Sequence, residues 1–215
     1  FVSTVECGVV VGDQPSAVKD GVTFVLVSCS RAALAQIASN LHENPSTKIP
    51  VVGLTGTNGK TTTSWILEAI LVEAGRRVGV VGTTGNRIAG VELDTVYTTP
   101  PAPIWQGLLS EMLAAKCDMV VAEVSSIALS TKRVAATDFS VGVFTNLTRD
   151  HLDFHGTFES YLRSKSLLFS DLLKPSGHVI YNGVDPYALD IVGERSDLTY
   201  WSFGLKEGDI SPKTL

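Results

Sequence analysis

The chain has 215 residues, 44% of them apolar, and a formal charge of −5 from 17 Lys and Arg against 22 Asp and Glu. That apolar share is ample for a core, and an acidic balance without any Lys/Arg run argues against a nucleic-acid surface. Cys7, Cys29 and Cys117 are odd in number and lack CxxC spacing, so reduced thiols are expected rather than a disulfide frame or a zinc site.

The first residues do not read as a signal sequence, and no apolar run reaches membrane-spanning length, so a cytoplasmic protein without a membrane partner is expected. Residues 1–46 alternate short apolar runs, at 9–11 and 24–27, with one helical stretch over 30–41. The polar, proline-broken segment from Glu43 to Thr47 reads as a hinge between domains. From Val51 onwards strands are expected at 51–54, 78–81, 119–124, 140–144 and 178–181, and helices at 62–74, 104–115 and 158–173. Alternation of this kind predicts an α/β fold, a mostly parallel sheet with helices on both faces, whose ligands gather at the carboxyl ends of the strands.

The apolar run Val51 to Leu54 leads into Gly56-Thr57-Asn58-Gly59-Lys60-Thr61-Thr62 and then a helix. Strand, glycine-rich loop, Lys-Thr and helix form the arrangement of a P-loop. Backbone N–H groups cradle phosphates at a helix N-terminus, the lysine neutralises the outer charge, and the hydroxyl reaches Mg²⁺. One position departs from the pattern: Leu54 stands where a glycine is wanted, and Gly53 lies one residue too early. The context still predicts a nucleoside-triphosphate site.

Three further groups fall near strand ends. Glu123 closes the apolar run from Met119, as a metal- or water-positioning carboxylate does, although a surface glutamate would read the same way. Thr145 and Asn146 end another strand, and Asp150, His151, Asp153 and His155 follow. That loop either supplies Mg²⁺ chemistry or is simply solvated. Lys165 sits within the helical apolar stripe of Phe158, Tyr161, Leu162, Leu168, Phe169 and Leu172, so it must snorkel outward, pair with an anion or be chemically altered.

These residues together resemble the Mur ligase family. The motifs are Gly56 to Thr62, Thr98-Thr-Pro100, Glu123-Val-Ser-Ser126, the run from Phe144 to Gly156, and Tyr161-Leu-Arg-Ser-Lys165, in an order and spacing that fit as a set over roughly residues 24 to 190. The branch they resemble most extends UDP-N-acetylmuramoyl-L-alanyl-D-glutamate with a third amino acid in peptidoglycan synthesis. The resemblance implies that Gly56, Thr57, Asn58, Gly59, Lys60, Thr61, Thr62 and Asn146 bind ATP. It implies Thr61, Glu123, His151 and a carbamylated Lys165 as Mg²⁺ ligands, and Lys60, Glu123, His151 and Lys165 as the catalytic set. Thr98, Thr99, Ser125 and Arg133 match positions that hold the UDP-muramoyl dipeptide. The implied chemistry runs through an acyl phosphate, from which a free amino acid displaces phosphate.

Two positions depart from the family: Ile127 replaces the usual histidine, and Thr131 stands where some members carry a glutamine. By the same resemblance, residues 1–46 correspond to the tail of a uridine-binding domain and 47–215 to most of a central ATP-binding domain. The expectation is therefore a monomeric fragment that lacks the C-terminal domain and does not ligate alone. A folylpolyglutamate synthase-like ligase and a non-catalytic scaffold, the latter supported only by Ile127, are the alternatives.

Overall fold

The computed structural model describes residues 8–15, 18, 20–205 and 209–210, so Cys7 and the first residues of the expected N-terminal domain lie outside it. The described strands form two sheets. In the small one, β1 (Val9–Gly12) and β2 (Thr23–Leu26) pair in parallel. The large one is built from β3 (Val51–Thr55), β4 (Val78–Val81), β5 (Asn86–Ile88), β6 (Val91–Leu93), β7 (Met119–Glu123), β8 (Phe139–Phe144), β9 (Leu173–Asn182) and β10 (Thr199–Phe203). Its order is β10-β9-β8-β3-β7-β4-β5-β6. Every neighbouring pair from β10 to β4 is parallel, and only the β4–β5 and β5–β6 pairs are antiparallel.

The middle strands are continuous apolar runs because both of their faces are covered, and β3 and β4 are buried at every position. One face, with Val51, Val120, Phe139 and Val179, packs with Trp105, Leu109 and Met112 of α3 (Ala102–Ala114) and with Tyr161 of α6 (Phe158–Leu167). The other face, with Val52, Leu54, Val80, Val121 and Val143, packs against Leu67 and Leu71 of α2 (Lys60–Glu73). Gly53 belongs to the first of these faces: a Cβ there would lie 2.8 Å from the Phe139 ring. Its glycine makes room for an aromatic side chain beneath the sheet rather than forming part of the loop that follows.

The segment expected as a hinge is docked. After α1 (Ser30–Leu41), which packs on α3, Pro45–Thr47 forms a 3₁₀ turn. Pro45 and Ser46 are buried, and Ser46 Oγ accepts from the Asp138 N–H at 3.0 Å. The expected helix at 158–173 is also revised. α6 gives way to a π turn over Leu168–Leu172, and Leu173 already belongs to β9. Widening the turn puts Leu168 and Phe169 side by side under the sheet, both fully buried.

The β5–β6 hairpin is absent from the sequence reading. It turns through Ala89 and Gly90, with φ of 51° and 87°, the two positive values a tight primed turn requires. Arg87 ties it to α2, donating from Nε to both Glu68 carboxylate oxygens at 3.0 and 2.8 Å and lying 3.8 Å over the Trp65 ring. Thr83, which the site uses, lies in the segment that joins β4 to this anchored hairpin.

Candidate active site

The glycine-rich loop joins the carboxyl end of β3 to α2. Gly59 adopts φ 88° as the N-cap, and the helix starts at Lys60 with no side-chain cap, which leaves first-turn N–H groups to an anion. Gly56 has φ 148°, and a Cβ there would collide with Thr145 Oγ1 and approach the Asn146 backbone N and O at 3.1 Å. The neighbouring strand end clamps the loop. Asn146 O accepts from the Thr57 N–H at 2.8 Å, and the Asn146 side-chain amide pairs with the Asn58 N–H and carbonyl at 3.0 Å each. Thr145 Oγ1 donates to Asn58 O at 2.7 Å. Thr57 Oγ1 lies 3.0 Å from the Tyr161 hydroxyl, so α6 also holds the loop.

Inside the loop, Lys60 Nζ donates to Gly56 O at 2.8 Å and Thr57 O at 3.0 Å. Burial lowers its pKa, with the charges of Glu123 and Asp150 working the other way. Lys165 is 1% exposed and also donates to Gly56 O, at 2.8 Å, with Nζ 4.6 Å from the Tyr161 ring centroid. It neither snorkels nor forms an ion pair with a carboxylate among the described residues. Burial above all, and then the like charge of Lys60, brings its pKa down from 10.5 to about 7 despite an opposing pull from Asp150.

Glu123 closes β7 at 1% exposure. Its carboxylate accepts from Thr61 Oγ1 at 2.8 Å, from the Thr83 N–H at 3.0 Å and from Thr83 Oγ1 at 3.1 Å. A chain of bonds continues to all four residues expected to hold substrate. Thr98 Oγ1 is 3.0 Å from Thr83 Oγ1, and Thr99 Oγ1 donates to Glu123 O at 2.8 Å while accepting from the Ser125 N–H at 3.1 Å. Arg133 donates from Nη1 to Thr99 O at 2.9 Å. Ser125 also caps α4 (Ser126–Ser130) by accepting from the Ala128 N–H. Arg133 and Thr131, with Arg31, Lys132 and Pro101, line a cleft of about 240 Å³ beside this network. Thr62 lies exposed in the first turn of α2, and Ile127 is half-buried on α4.

The expected metal ligands fall into two groups. Thr61 and Glu123 are in contact and offer the hard oxygens that Mg²⁺ prefers. His151 instead precedes α5 (Leu152–His155) with φ 50°, its Nε2 3.5 Å from Asp150 and half exposed. No hydrogen bond joins it to Glu123 or Lys165 among the described residues, and no cluster of three or more His, Cys, Asp or Glu is found there. Thr83 escapes sequence reasoning altogether, and so does the role of Tyr161, whose signal is a hydroxyl that falls inside a core stripe and needs a partner. His155, read from the sequence only as one member of a loop suited to Mg²⁺ chemistry or solvation, lies within bonding distance of Ser126 and Ser164.

The pattern of the Mur ligase middle domain matches residues 54–214. The chain belongs to the Mur ligase family. A UDP-N-acetylmuramoyl-L-alanyl-D-glutamate–2,6-diaminopimelate ligase of Geobacter metallireducens is 42% identical over 190 residues, covering 86% of this chain and 37% of its own length. A solved UDP-N-acetylmuramoyl-L-alanyl-D-glutamate–2,6-diaminopimelate ligase superimposes with a TM-score of 0.71 at 26% identity, covering 86% of this chain and 38% of that one. Escherichia coli FolC in complex with DHPP and ADP gives a TM-score of 0.58 at 26% identity, over 83% of this chain and 47% of that one. The Mur ligase chain described here thus spans less than half the length of these relatives. No helix among its described residues is long and apolar enough to cross a membrane.

Proposed function

We propose that this Mur ligase chain is the nucleotide- and substrate-binding part of a cytoplasmic, monomeric ATP-dependent ligase. Its reaction adds the third amino acid to UDP-N-acetylmuramoyl-L-alanyl-D-glutamate in peptidoglycan synthesis. Residues 1–46 would be the end of a UDP-binding domain and 47–215 the central ATP-binding domain. The observation that carries the reading is the unbroken set of bonds from Thr61, at the start of α2, through Glu123 and Thr83 to Thr98, Thr99, Ser125 and Arg133. It joins a phosphate loop to a row of hydroxyls and a guanidinium fit for an anionic acceptor.

In this reading Gly56 to Thr62 form a P-loop, and Asn146 supports it. Lys60 would swing from the loop carbonyls to neutralise the outer phosphates, a small rotation of a long side chain. Arg133, Thr98, Thr99 and Ser125 would orient the acceptor so that its carboxylate oxygen attacks the γ-phosphorus in line and ADP leaves. The neutral amine nitrogen of the incoming amino acid then attacks the acyl phosphate carbon, inorganic phosphate departs, and the proton lost from that nitrogen passes to solvent. Thr61 and Glu123 would hold Mg²⁺, which supplies charge neutralisation on the transferring group. Lys165, with a pKa near 7, is in large part a neutral amine at physiological pH. That is the form that adds CO₂ with loss of a proton, and the carbamate would join His151 as a ligand for a second Mg²⁺.

The test is phosphate release by the whole protein from ATP with UDP-N-acetylmuramoyl-L-alanyl-D-glutamate and candidate amino acids. Release that requires both acceptor and amino acid supports the reading. Release with a dihydrofolate or folylglutamate acceptor instead would favour the second reading, a folylpolyglutamate synthase-like ligase, for which the likeness to FolC speaks. No acceptor-dependent release at all would favour the scaffold.

A further inference from the structure

His155 stands between the two helices that carry the acceptor-side and lysine-side groups of the site. Its Nε2 is 3.0 Å from Ser126 Oγ at the start of α4, and its Nδ1 is 3.3 Å from Ser164 Oγ on α6. Both serines are buried, at 1% and 6% exposure. The bonding fixes the tautomer. Ser164 gives its one hydroxyl hydrogen to Ser160 O at 2.8 Å, so towards the ring it only accepts. Nδ1 therefore carries the hydrogen, and Nε2 of the neutral ring accepts from the Ser126 hydroxyl. Burial, followed by the neighbouring charges of His151 and Lys165, lowers the histidine's pKa, in keeping with a neutral ring.

We infer that His155 is a positioning residue that latches α6 to α4 and so holds Lys165 in register with the strand end bearing Glu123 and Ser125. Ser126 follows Ser125 directly, and Ser164 precedes Lys165 directly. The ring also packs 5.2 Å from the Tyr161 ring, whose face carries the Lys165 ammonium. Three residues beyond Lys165 the helix opens into the π turn, so regular helical bonding does not fix the lysine from that side. The latch restrains it from the other side. Its importance for turnover rests on the ligase reading above, but the latch itself does not.

The experiment therefore has two readouts on the whole protein. Lys165 acylation by an N-hydroxysuccinimide ester is followed by peptide mass spectrometry, with exposed Lys116 as the internal reference. Ligation kinetics are measured in parallel. His155→Leu, which keeps neither bond, is expected to raise Lys165 acylation relative to Lys116 by about tenfold, and to lower kcat by about tenfold with the ATP KM within about twofold. Ser126→Ala should shift both readouts in the same direction. Added to His155→Leu it should shift neither further, because His155→Leu already removes the one bond that Ser126→Ala breaks. His155→Gln, whose amide reaches the Nε2 position, should recover part of both.

An unchanged Lys165 acylation rate in His155→Leu, or additive effects in the double variant, would overturn the latch. If His155→Leu does not fold, Ser126→Ala alone decides on the same two readouts. Wild-type protein that shows no ligation, with the acylation pattern as expected, would sink the ligase reading and leave the latch standing.

Discussion

Lys60 and Lys165 donate to the same atom, each Nζ lying 2.8 Å from the carbonyl oxygen of Gly56. Two ammonium groups cannot share one neutral acceptor in a buried site without strong mutual repulsion. Burial above all, with this repulsion second, lowers the Lys165 pKa from 10.5 to about 7.

That shift sets a stability profile. Between pH 7 and 10.5 the unfolded chain keeps the Lys165 proton while the folded chain has released it, so the unfolded state binds more protons and stability rises with pH across this window. Below pH 7 both states are protonated, and the full cost of burying the charge is present. Lys165→Met removes the titration. Denaturant unfolding should find wild type least favourable relative to Lys165→Met at pH 6 and progressively better towards pH 10. A difference that stays flat with pH would mean Lys165 keeps its ordinary pKa.

Gly56→Ala should be among the most damaging single changes in the chain. The backbone there has φ 148°, and the new methyl would strike Thr145 Oγ1 and crowd backbone atoms of Asn146, which cannot swing aside. A loss of roughly 2–4 kcal/mol is expected, combining strain with a displaced clamp. Chemical denaturation measures it, and a loss below about 1 kcal/mol would show that the loop relaxes freely.

Much of this was legible beforehand, and the residues show why. Glu123 and Lys165 stood out because a charge at the end of an apolar strand, or inside an apolar helical stripe, violates the local pattern and needs a partner. Asn146 and Thr61 followed from their places in motifs. What escaped depends on contacts distant in sequence: Thr83 matters only because β4 lies beside β7, and its bond to Glu123 spans forty residues. The β5–β6 hairpin was missed because Ala89, a helix former, occupies a position where asparagine or aspartate would announce the turn. The π turn also leaves no signature, since the stripe from Phe158 to Leu172 continues through it.

Glu123→Gln should leave the fold intact. The amide keeps an oxygen for the Thr83 N–H, and the side-chain volume is unchanged, so stability should move by no more than about 1 kcal/mol. The charge that would hold Mg²⁺ is lost. Acceptor-dependent phosphate release by the whole protein should fall by about 10²-fold or more, and the Mg²⁺ concentration needed for half-maximal rate should rise. Unchanged Mg²⁺ dependence would remove Glu123 from the metal site.

Ile127→His restores the residue usual in the family at a half-buried position of α4. The backbone it leaves untouched is well bonded, with the Ile127 carbonyl accepting from Thr131 Oγ1 at 2.6 Å and from the Thr131 N–H at 2.9 Å. Stability should therefore stay within about 1 kcal/mol. The position lies two residues beyond Ser125, so the acceptor KM or kcat should change while the ATP KM does not. Identical kinetics in both proteins would make the departure neutral.

Tyr161→Phe separates the two roles of a fully buried ring. The hydroxyl meets Thr57 Oγ1 at 3.0 Å, and the ring face supports the Lys165 ammonium at 4.6 Å. Phenylalanine keeps the face and loses the hydroxyl. Thr57 Oγ1 still accepts from the Thr148 N–H at 3.0 Å and reaches Thr148 O at 3.2 Å, so little is left unsatisfied and the stability loss should be about 1 kcal/mol. The loop, however, loses one of its two ties to α6 and keeps only the Lys165 bond to Gly56 O. Nucleotide binding should weaken several-fold while the pH profile of Lys165 acylation stays as in wild type. Tyr161→Leu takes the ring as well, and there the acylation profile should move too. If Phe and Leu at this position moved the Lys165 profile equally, the hydroxyl rather than the ring face would be what holds the lysine.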